Sequence, residues 1–186
     1  MKFNRIWLIV LATPLLMGQL CTWLTPGNPG PEGPSELIGG EYSGEATTTM
    51  NTSTIGFQAP PPSTTSKSSP LKISISSDGR PLTSDGQELT VGTQISFPID
   101  QMNLTTTVTR IAVVDGQVKV TYDVSMSMTS LDQTSWTFTG TGDENYALNG
   151  DQLDYSRHLQ LKGVLYIWWI TMDFTTTASL SPSTGS

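Results

Sequence analysis

The sequence predicts an all-β protein: an antiparallel up-and-down meander of about eight strands that closes into a barrel. Apolar and polar residues alternate strictly from Val118 to Met128, the pattern of a strand with one face on a core and one in water. Asp-Gly and Asn-Gly pairs, which favour tight hairpin turns, separate several apolar segments. No helical period suggests a crossover helix between them. An open β-sandwich is the alternative, because a long sheet with one apolar face can also pack on a second sheet.

The chain begins with a short basic segment and a longer apolar run. Lys2 and Arg5 precede an apolar stretch that starts at Ile6. This layout is typical of an export signal, whose apolar segment enters the membrane as a helix while its cations stay on the cytoplasmic side. We therefore predict that residues 1–20 are a signal peptide or a membrane anchor. An uncleaved anchor is an alternative, because the uncharged run from Ile6 to Leu24 is about long enough to span a bilayer.

Cys21, the only cysteine, follows this run directly. Its position resembles that of the lipid-bearing cysteine in bacterial lipoproteins, where it is the first mature residue. The family has a small residue just before the cysteine, whereas this chain has Leu20. The resemblance implies lipidation of Cys21 and a membrane-tethered protein, with ordinary secretion as a further alternative. Every alternative places the body of the chain outside the cytoplasm, in the cell envelope or secreted.

Composition divides the rest of the chain into segments. Pro and Gly dominate residues 21–36, which predicts an extended tether. A single β-domain is expected over 37–180, interrupted at about 51–70 by a mobile loop rich in Pro, Ser and Thr. Residues 181–186 are expected to form a disordered tail.

The strands of the domain follow from alternation and β-propensity. They are predicted in this order: 40–50, 71–75, 88–97, 104–114, 118–128, 135–139, 146–148, 153–161 and 164–177. Turns are expected at Asp115-Gly116, Asn149-Gly150 and Lys162-Gly163, and also at Asp78-Gly79 and Asp85-Gly86.

The domain opens with Gly40-x-Tyr42-x-Gly44. Together with the meander, this opening resembles small lipocalin-type barrels, and the resemblance implies a closed, calycin-like barrel. It is a resemblance of pattern that identifies no binding residue.

Composition and motifs argue against several functions. The formal net charge of -7 disfavours nucleic acid as a partner, because an acidic surface repels phosphates. His158 is the only histidine, and no Gly-x-Ser-x-Gly motif occurs, so no catalytic residue is predicted. The carboxylates at 143–151 and at 78–88 are interpreted as turn residues, not calcium ligands. We expect no enzyme activity, no metal and no cofactor.

Arg157 has the parity of Leu153, Tyr155 and Leu159, so a regular strand would point its guanidinium inward. A buried Arg requires an anionic partner, which would be a ligand carboxylate or an inward Asp or Glu, unless a bulge turns Arg157 outward. We therefore consider Trp136, Tyr155, Arg157 and Trp168 as candidate lining of a site for an apolar or amphipathic small ligand.

The segment from Val164 to Ile170 is apolar on both faces. A strand with one wet face should not have this composition. Either another part of the chain covers it, or it contacts a membrane or a protein of the cell envelope, which would make the domain a structural or protein-interaction module.

Overall fold

A computed structural model describes residues 35–99, 102–129 and 134–183. Their strands form one antiparallel sheet of eight, curled strongly into a half-barrel. The predicted leader, Cys21 and most of the tether lie outside the described residues. None of the described residues forms a helix long and apolar enough to span a membrane. The strands are β1 (Gly40–Ile55), β2 (Ser63–Ile75), β3 (Gln94–Ile99), β4 (Met102–Val114), β5 (Gln117–Thr129), β6 (Ser135–Asn149), β7 (Gln152–Leu165) and β8 (Trp168–Pro182).

The sheet order is β2-β1-β8-β7-β6-β5-β4-β3. From β3 to β8 each strand pairs with the next, so this part is a simple meander. The β1–β2 hairpin is then added beside β8, because β1 pairs with both β8 and β2. The predicted all-β antiparallel class and the number of strands are confirmed. All eight strands belong to one sheet, whose two ends are β2 and β3.

Alternation along each strand sets the concave face of the sheet. In β5, the buried residues Val118, Val120, Tyr122 and Val124 alternate with residues that face solvent on the convex side. Apolar side chains of this kind from the strands join in one core cluster. Burial of a side chain such as Val or Phe contributes about 1.5–3 kcal/mol to the free energy of unfolding. Burial on the concave face therefore stabilises the curled form of the sheet.

Two of the predicted hairpins are confirmed. Asp115 and Gly116 both have positive φ, of 52° and 76°, as a two-residue type I′ turn requires between β4 and β5. The β6–β7 turn uses Gly150 and Asp151, one residue beyond the predicted pair, because Asn149 is the last residue of the ladder and faces Gln152.

The turn predicted at Lys162-Gly163 is wrong, because β7 continues to Leu165 and the chain reverses at Tyr166 and Ile167. Gly163 is instead a point of close approach. A Cβ there would lie 2.6 Å from Cδ1 of Phe138. A glycine within a strand can mark such packing as well as a turn.

The predicted 51–70 loop is also wrong over most of its length. Residues up to Ile55 complete β1, and β2 begins at Ser63, so the connection is only 56–62. The Ser and Thr side chains on the convex side bond across the two strands, for example Thr49 to Ser66 with 2.9 Å between their hydroxyl oxygens. Pro70 is tolerated because β2 is an edge strand with a free side.

The chain ends of the domain are more ordered than the predicted tail suggested. Ser181 and Pro182 pair with β1, and Ser183 donates its backbone N–H to Glu41. At the same end, Glu36 donates its N–H to the carbonyl of Gly116, and Leu37 is buried in the core. Only residues 184–186 of the predicted tail lie outside the described residues.

The connection from β2 to β3 is long, because the strand predicted over 88–97 begins only at Gln94. It contains both predicted Asp-Gly turns, with Gly79 and Gly86 at positive φ. Leu89 from this segment is buried in the core. The end of the half-barrel that holds the β4–β5 and β6–β7 turns is therefore closed by the chain itself.

Candidate functional site

A buried ion pair occupies the middle of the concave face. Glu144 on β6 lies directly opposite Arg157 on β7 in the ladder. Only 7% of Glu144 and 6% of Arg157 are exposed, and Arg157 Nε lies 3.2 Å from Glu144 Oε1. The inward position predicted for Arg157 is therefore correct, and its partner is an inward glutamate of the same sheet.

Three tyrosines also donate to the Glu144 carboxylate. Tyr122 on β5 donates to Oε2 at 2.7 Å, and Tyr155 on β7 donates to Oε1 at 3.1 Å. Tyr146, two residues along β6, donates to Oε2 as well. The rings of Tyr146 and Tyr155 pack with centroids 5.4 Å apart. Three hydrogen-bond donors and the nearby Arg157 cation therefore stabilise the carboxylate despite its burial.

Burial and the neighbouring carboxylate act together on the tyrosines. Loss of water, followed by the negative charge of Glu144, raises the pKa of Tyr122, Tyr146 and Tyr155 well above the usual value. All three phenols are thus neutral hydrogen-bond donors at physiological pH. For Arg157, burial lowers the pKa, but the charge of Glu144 and the interactions with the three tyrosines together outweigh this, and the net shift is upward. Arg157 is therefore a guanidinium cation.

A cavity adjoins this cluster on the concave side. Its wall includes Tyr155 and Arg157 beside apolar residues of the neighbouring strands. Ser69 and Leu71 of edge strand β2 contribute to one side, and Leu104 of β4 contributes to another. The full lining is Ala46, Thr48, Ser69, Pro70, Leu71, Leu104, Met126, Tyr155, Arg157, Leu159, Leu161, Phe174 and Thr176.

The size of the cavity limits what it can hold. The space in and before it is about 710 Å³ when open solvent is included, whereas the cavity itself measures about 50 Å³. The smaller value describes its capacity, because the larger one includes solvent outside the wall. A cavity that binds benzene measures about 150 Å³ on the same kind of scale. A few atoms of an apolar group therefore fit before the wall has to move.

The four candidate lining residues divide into two pairs. Tyr155 and Arg157 line the cavity. Trp136 instead packs on Tyr166, with ring centroids 5.1 Å apart, and Trp168 donates its indole N–H to the carbonyl of Phe57 at 2.9 Å. Both tryptophans lie toward the end of the half-barrel with the β1–β2 and β7–β8 turns, and neither belongs to the wall of this cavity.

That end carries an exposed apolar surface, which we call the apolar tip: Ile55, Phe57, Val164, Tyr166, Ile167 and Trp169. Ile55 faces Trp169 in the β1–β8 ladder, so the two turns lie side by side. Ile167 and Trp169 are each 65% exposed, whereas Leu165 is buried. The apolar segment from Val164 to Ile170 is thus exposed at its turn. Within it Leu165 is buried, and Trp168 and Ile170 at the start of β8 are partly buried.

Glu144 was interpreted from the sequence as a turn residue, and this is wrong, because β6 is continuous from Ser135 to Asn149. The available signal was parity: Glu144 alternates in step with Phe138 and Tyr146, both of which are buried. Because Asp143 next to it is also acidic, the two residues together have the composition of a turn, and the alternation is hard to recognise. Asp143 points outward, where its Oδ1 lies 3.7 Å from Nδ1 of His158.

In the described part of the chain, no three side chains of His, Cys, Asp or Glu are grouped to hold a metal ion. His158 lies on the convex side between Asp143 and Asp173, at 3.7 Å from each carboxylate.

The Glu144→Gln substitution tests the central ion pair. It removes the charge that compensates buried Arg157, so we expect the free energy of unfolding to fall by about 3–5 kcal/mol in chemical denaturation. The matched control is Asp143→Asn, which alters an exposed neighbouring pair and should cost about 1 kcal/mol or less. Equal losses in the two variants would contradict a structural role for Glu144.

The tyrosine cluster predicts loss of stability at alkaline pH. Because the pKa values of Tyr122, Tyr146 and Tyr155 are raised in the folded state, the folded chain holds protons that the unfolded chain releases above pH of about 10. The stabilising contribution is complete below that pH and is lost as pH rises toward the folded pKa values. We expect a slope of up to about 4 kcal/mol per pH unit for three protons.

Denaturation between neutral pH and pH of about 12 measures this slope. Tyr122→Phe should reduce it by one third, whereas Tyr166→Phe at the exposed tip should leave it as it is. A slope that is the same in the wild type and in Tyr122→Phe would be inconsistent with the cluster.

Comparison with known proteins identifies no relative of this chain. No protein-family model, no curated protein and no solved structure matches this chain.

Proposed function

We propose that this protein binds an apolar or amphipathic small molecule in the concave cavity and catalyses no reaction. The observation that supports this function best is the composition of the cavity wall. It is apolar except for a few polar groups that include Tyr155 and Arg157, and both of these are anchored by Glu144. An apolar pocket with a small number of fixed polar groups is the usual form of a ligand site.

We propose no catalysis because the polar groups at the cavity, the tyrosines and Arg157, keep fixed protonation states. A catalytic acid or base must exchange a proton near physiological pH. The three tyrosines are held neutral by burial and by Glu144, and Arg157 is held as a cation. Such groups position a ligand and donate hydrogen bonds to it.

Closure into a calycin-like barrel is part of this proposal. Walls of the cavity come from β2, at one end of the sheet order, and from Leu104 of β4, beside the strand at the other end. Edge strand β2 and β4, the strand next to the other edge, thus face the same space. We expect a bound ligand to draw them together, and slower amide exchange along β2 in its presence would support closure.

We also propose that the protein is exported and tethered to a membrane by its N-terminus. The basic and apolar leader, Cys21 and the Pro/Gly-rich segment behind it support this location. The mass of the membrane-extracted chain tests the lipid: a Cys21→Ala variant that keeps the same added mass and the same membrane fraction would exclude lipidation of Cys21.

Titration with octan-1-ol, a neutral amphiphile, tests the binding function. We expect the NMR resonances of backbone amides in the cavity strands to shift as octan-1-ol is added, and the shifts to saturate at high octan-1-ol concentration. Ala46→Leu fills the cavity from β1 and should weaken binding at least about tenfold, which corresponds to 1.4 kcal/mol. Thr47→Leu, one residue away on the convex side, is the control and should bind as the wild type does.

Circular dichroism of both variants would check that they remain folded. If octan-1-ol shifts no cavity resonance, or if Ala46→Leu binds it as strongly as Thr47→Leu, the cavity is not a ligand site.

The apolar tip favours a second function, that of an interaction module in the cell envelope. Six large apolar residues on two adjacent turns are exposed there, and the turn segments 55–62 and 163–170 contain no charged residue. An exposed apolar patch of this kind is typical of a contact surface. Aromatic side chains such as Trp169 are enriched at the centre of such contacts.

A photo-crosslinking residue at position 167 tests the module in the cells that produce the protein. We expect a discrete adduct with an envelope protein from this position. Asp151, in the exposed turn at the opposite end, is the control position and should give none. Equal labelling from positions 167 and 151 would refute a specific contact at the tip.

A further inference from the structure

The concave face carries one row of polar side chains that extends from the ion pair to the open edge of the sheet. The ladders place Arg157 opposite Thr176, Thr176 opposite Thr48, and Thr48 opposite Lys67. Together with Glu144, these residues form what we call the concave row. All of them have the inward parity of their strands, since Lys67 alternates in step with Ser69 and Leu71 of the cavity wall.

The charges of this row do not cancel. Among the strand side chains that the structure describes, only Glu144, Arg157 and Lys67 combine a charge with the inward parity. Glu144 compensates Arg157 at 3.2 Å. Within the described residues no carboxylate forms a salt bridge with Lys67, whereas Lys72 on the opposite face of β2 pairs with Glu41 at 2.8 Å. The concave face thus has a net charge of +1 in a protein whose net charge is -7.

Hydroxyl groups lie between the two cations. The oxygens of Thr48 and Thr176 are 2.9 Å apart, both residues line the cavity, and Thr48 is 9% exposed. Ser69, one inward position from Lys67, is buried and also lines it. Neighbouring strands are about 4.8 Å apart, and Lys67 on β2 is three strands away from Arg157 on β7. Because the sheet curls, the direct distance between the two residues across the concave face is shorter than the path along the sheet. An anionic group at the threonines would lie next to Arg157, which is opposite Thr176, and within reach of the flexible Lys67 side chain.

From this arrangement we propose that the ligand of the cavity is an amphipathic monoanion with a carboxylate head, and that Lys67 is the residue that selects its charge. This inference rests on the proposed binding function. The head lies over Thr48 and Thr176, where Lys67 supplies the compensating charge and Arg157 supplies further donors. The apolar part of the ligand contacts the wall at Leu159, Leu161 and Phe174.

The size of the cavity agrees with a ligand that occupies it only in part. At about 50 Å³ it takes a short apolar group, and the polar row leads from it to edge strand β2. The head of a bound monoanion would therefore lie toward solvent and its tail toward the core, which avoids complete desolvation of the carboxylate.

Octanoate and octan-1-ol, which share a chain length and differ in head charge, distinguish the inference from the binding function. By NMR titration of the purified protein at neutral pH, we expect octanoate to bind about tenfold more tightly than octan-1-ol, a ratio equivalent to 1.4 kcal/mol. Lys67→Met should remove this preference while leaving the affinity for octan-1-ol unchanged, and Lys67→Arg should retain it. Lys72→Met, on the convex face of the same strand, is the control and should behave as the wild type does.

Each result has one meaning. If both probes bind with equal affinity, or if Lys67→Met weakens both to the same extent, the selection of a monoanion by Lys67 is overturned and the cavity remains a site for neutral ligands. If neither probe shifts a cavity resonance, the binding function fails together with the inference.

Discussion

The buried carboxylate of Glu144 is the constraint on which the interior of this protein depends. A charge at this depth is stable only if donors surround it, and here β5, β6 and β7 all supply them. A slip of one residue in the pairing of these strands would turn every inward side chain outward. The donors from neighbouring strands would then leave the carboxylate, so the cluster specifies the register of the central sheet in a way that interchangeable apolar residues do not.

The same cluster shapes the surface beside it. Because Glu144 is surrounded by Arg157 and three tyrosines, its charge is compensated within the sheet, and the cavity wall next to it combines apolar residues with fixed donors. Toward β1 and β2 the concave row continues through two threonines to Lys67. An acidic protein thus has an interior face of opposite net charge, which separates the chemistry of its cavity from that of its outer surface. The two ends of the half-barrel differ as well: Leu37 and Leu89 close one, and the apolar tip leaves the other exposed.

Local patterns predicted the parts of the fold that local physics decides. The alternation in β5 and the Asp115-Gly116 turn were read correctly, because side-chain parity and positive φ are properties of a few adjacent residues. The errors occurred where distant contacts override composition. Gly163 resembles a turn residue but makes room for Phe138, and the polar residues from Ser63 to Pro70 form an edge strand because β1 supplies their hydrogen bonds. Adjacent carboxylates favour a turn, so the sequence predicts one at Glu144, whereas Asp143 and Glu144 occupy opposite faces of the continuous strand β6.

By itself the sequence determined an antiparallel β-domain of about eight strands and an inward Arg157, since parity along one strand decides which face a side chain occupies. Only the tertiary structure decided that Glu144 is the partner of Arg157, that Tyr155 lines the cavity while Trp136 and Trp168 do not, and that Lys67 extends the same row. The pairing of Glu144 with Arg157 depends on the register of the β6–β7 hairpin, whose turn lies one residue beyond the predicted pair. The other two facts depend on how β1 pairs with β8 and on how strongly the sheet curls. In that pairing, strands separated by more than a hundred residues meet. The alternation within a single strand does not determine which residues of such a distant strand lie opposite.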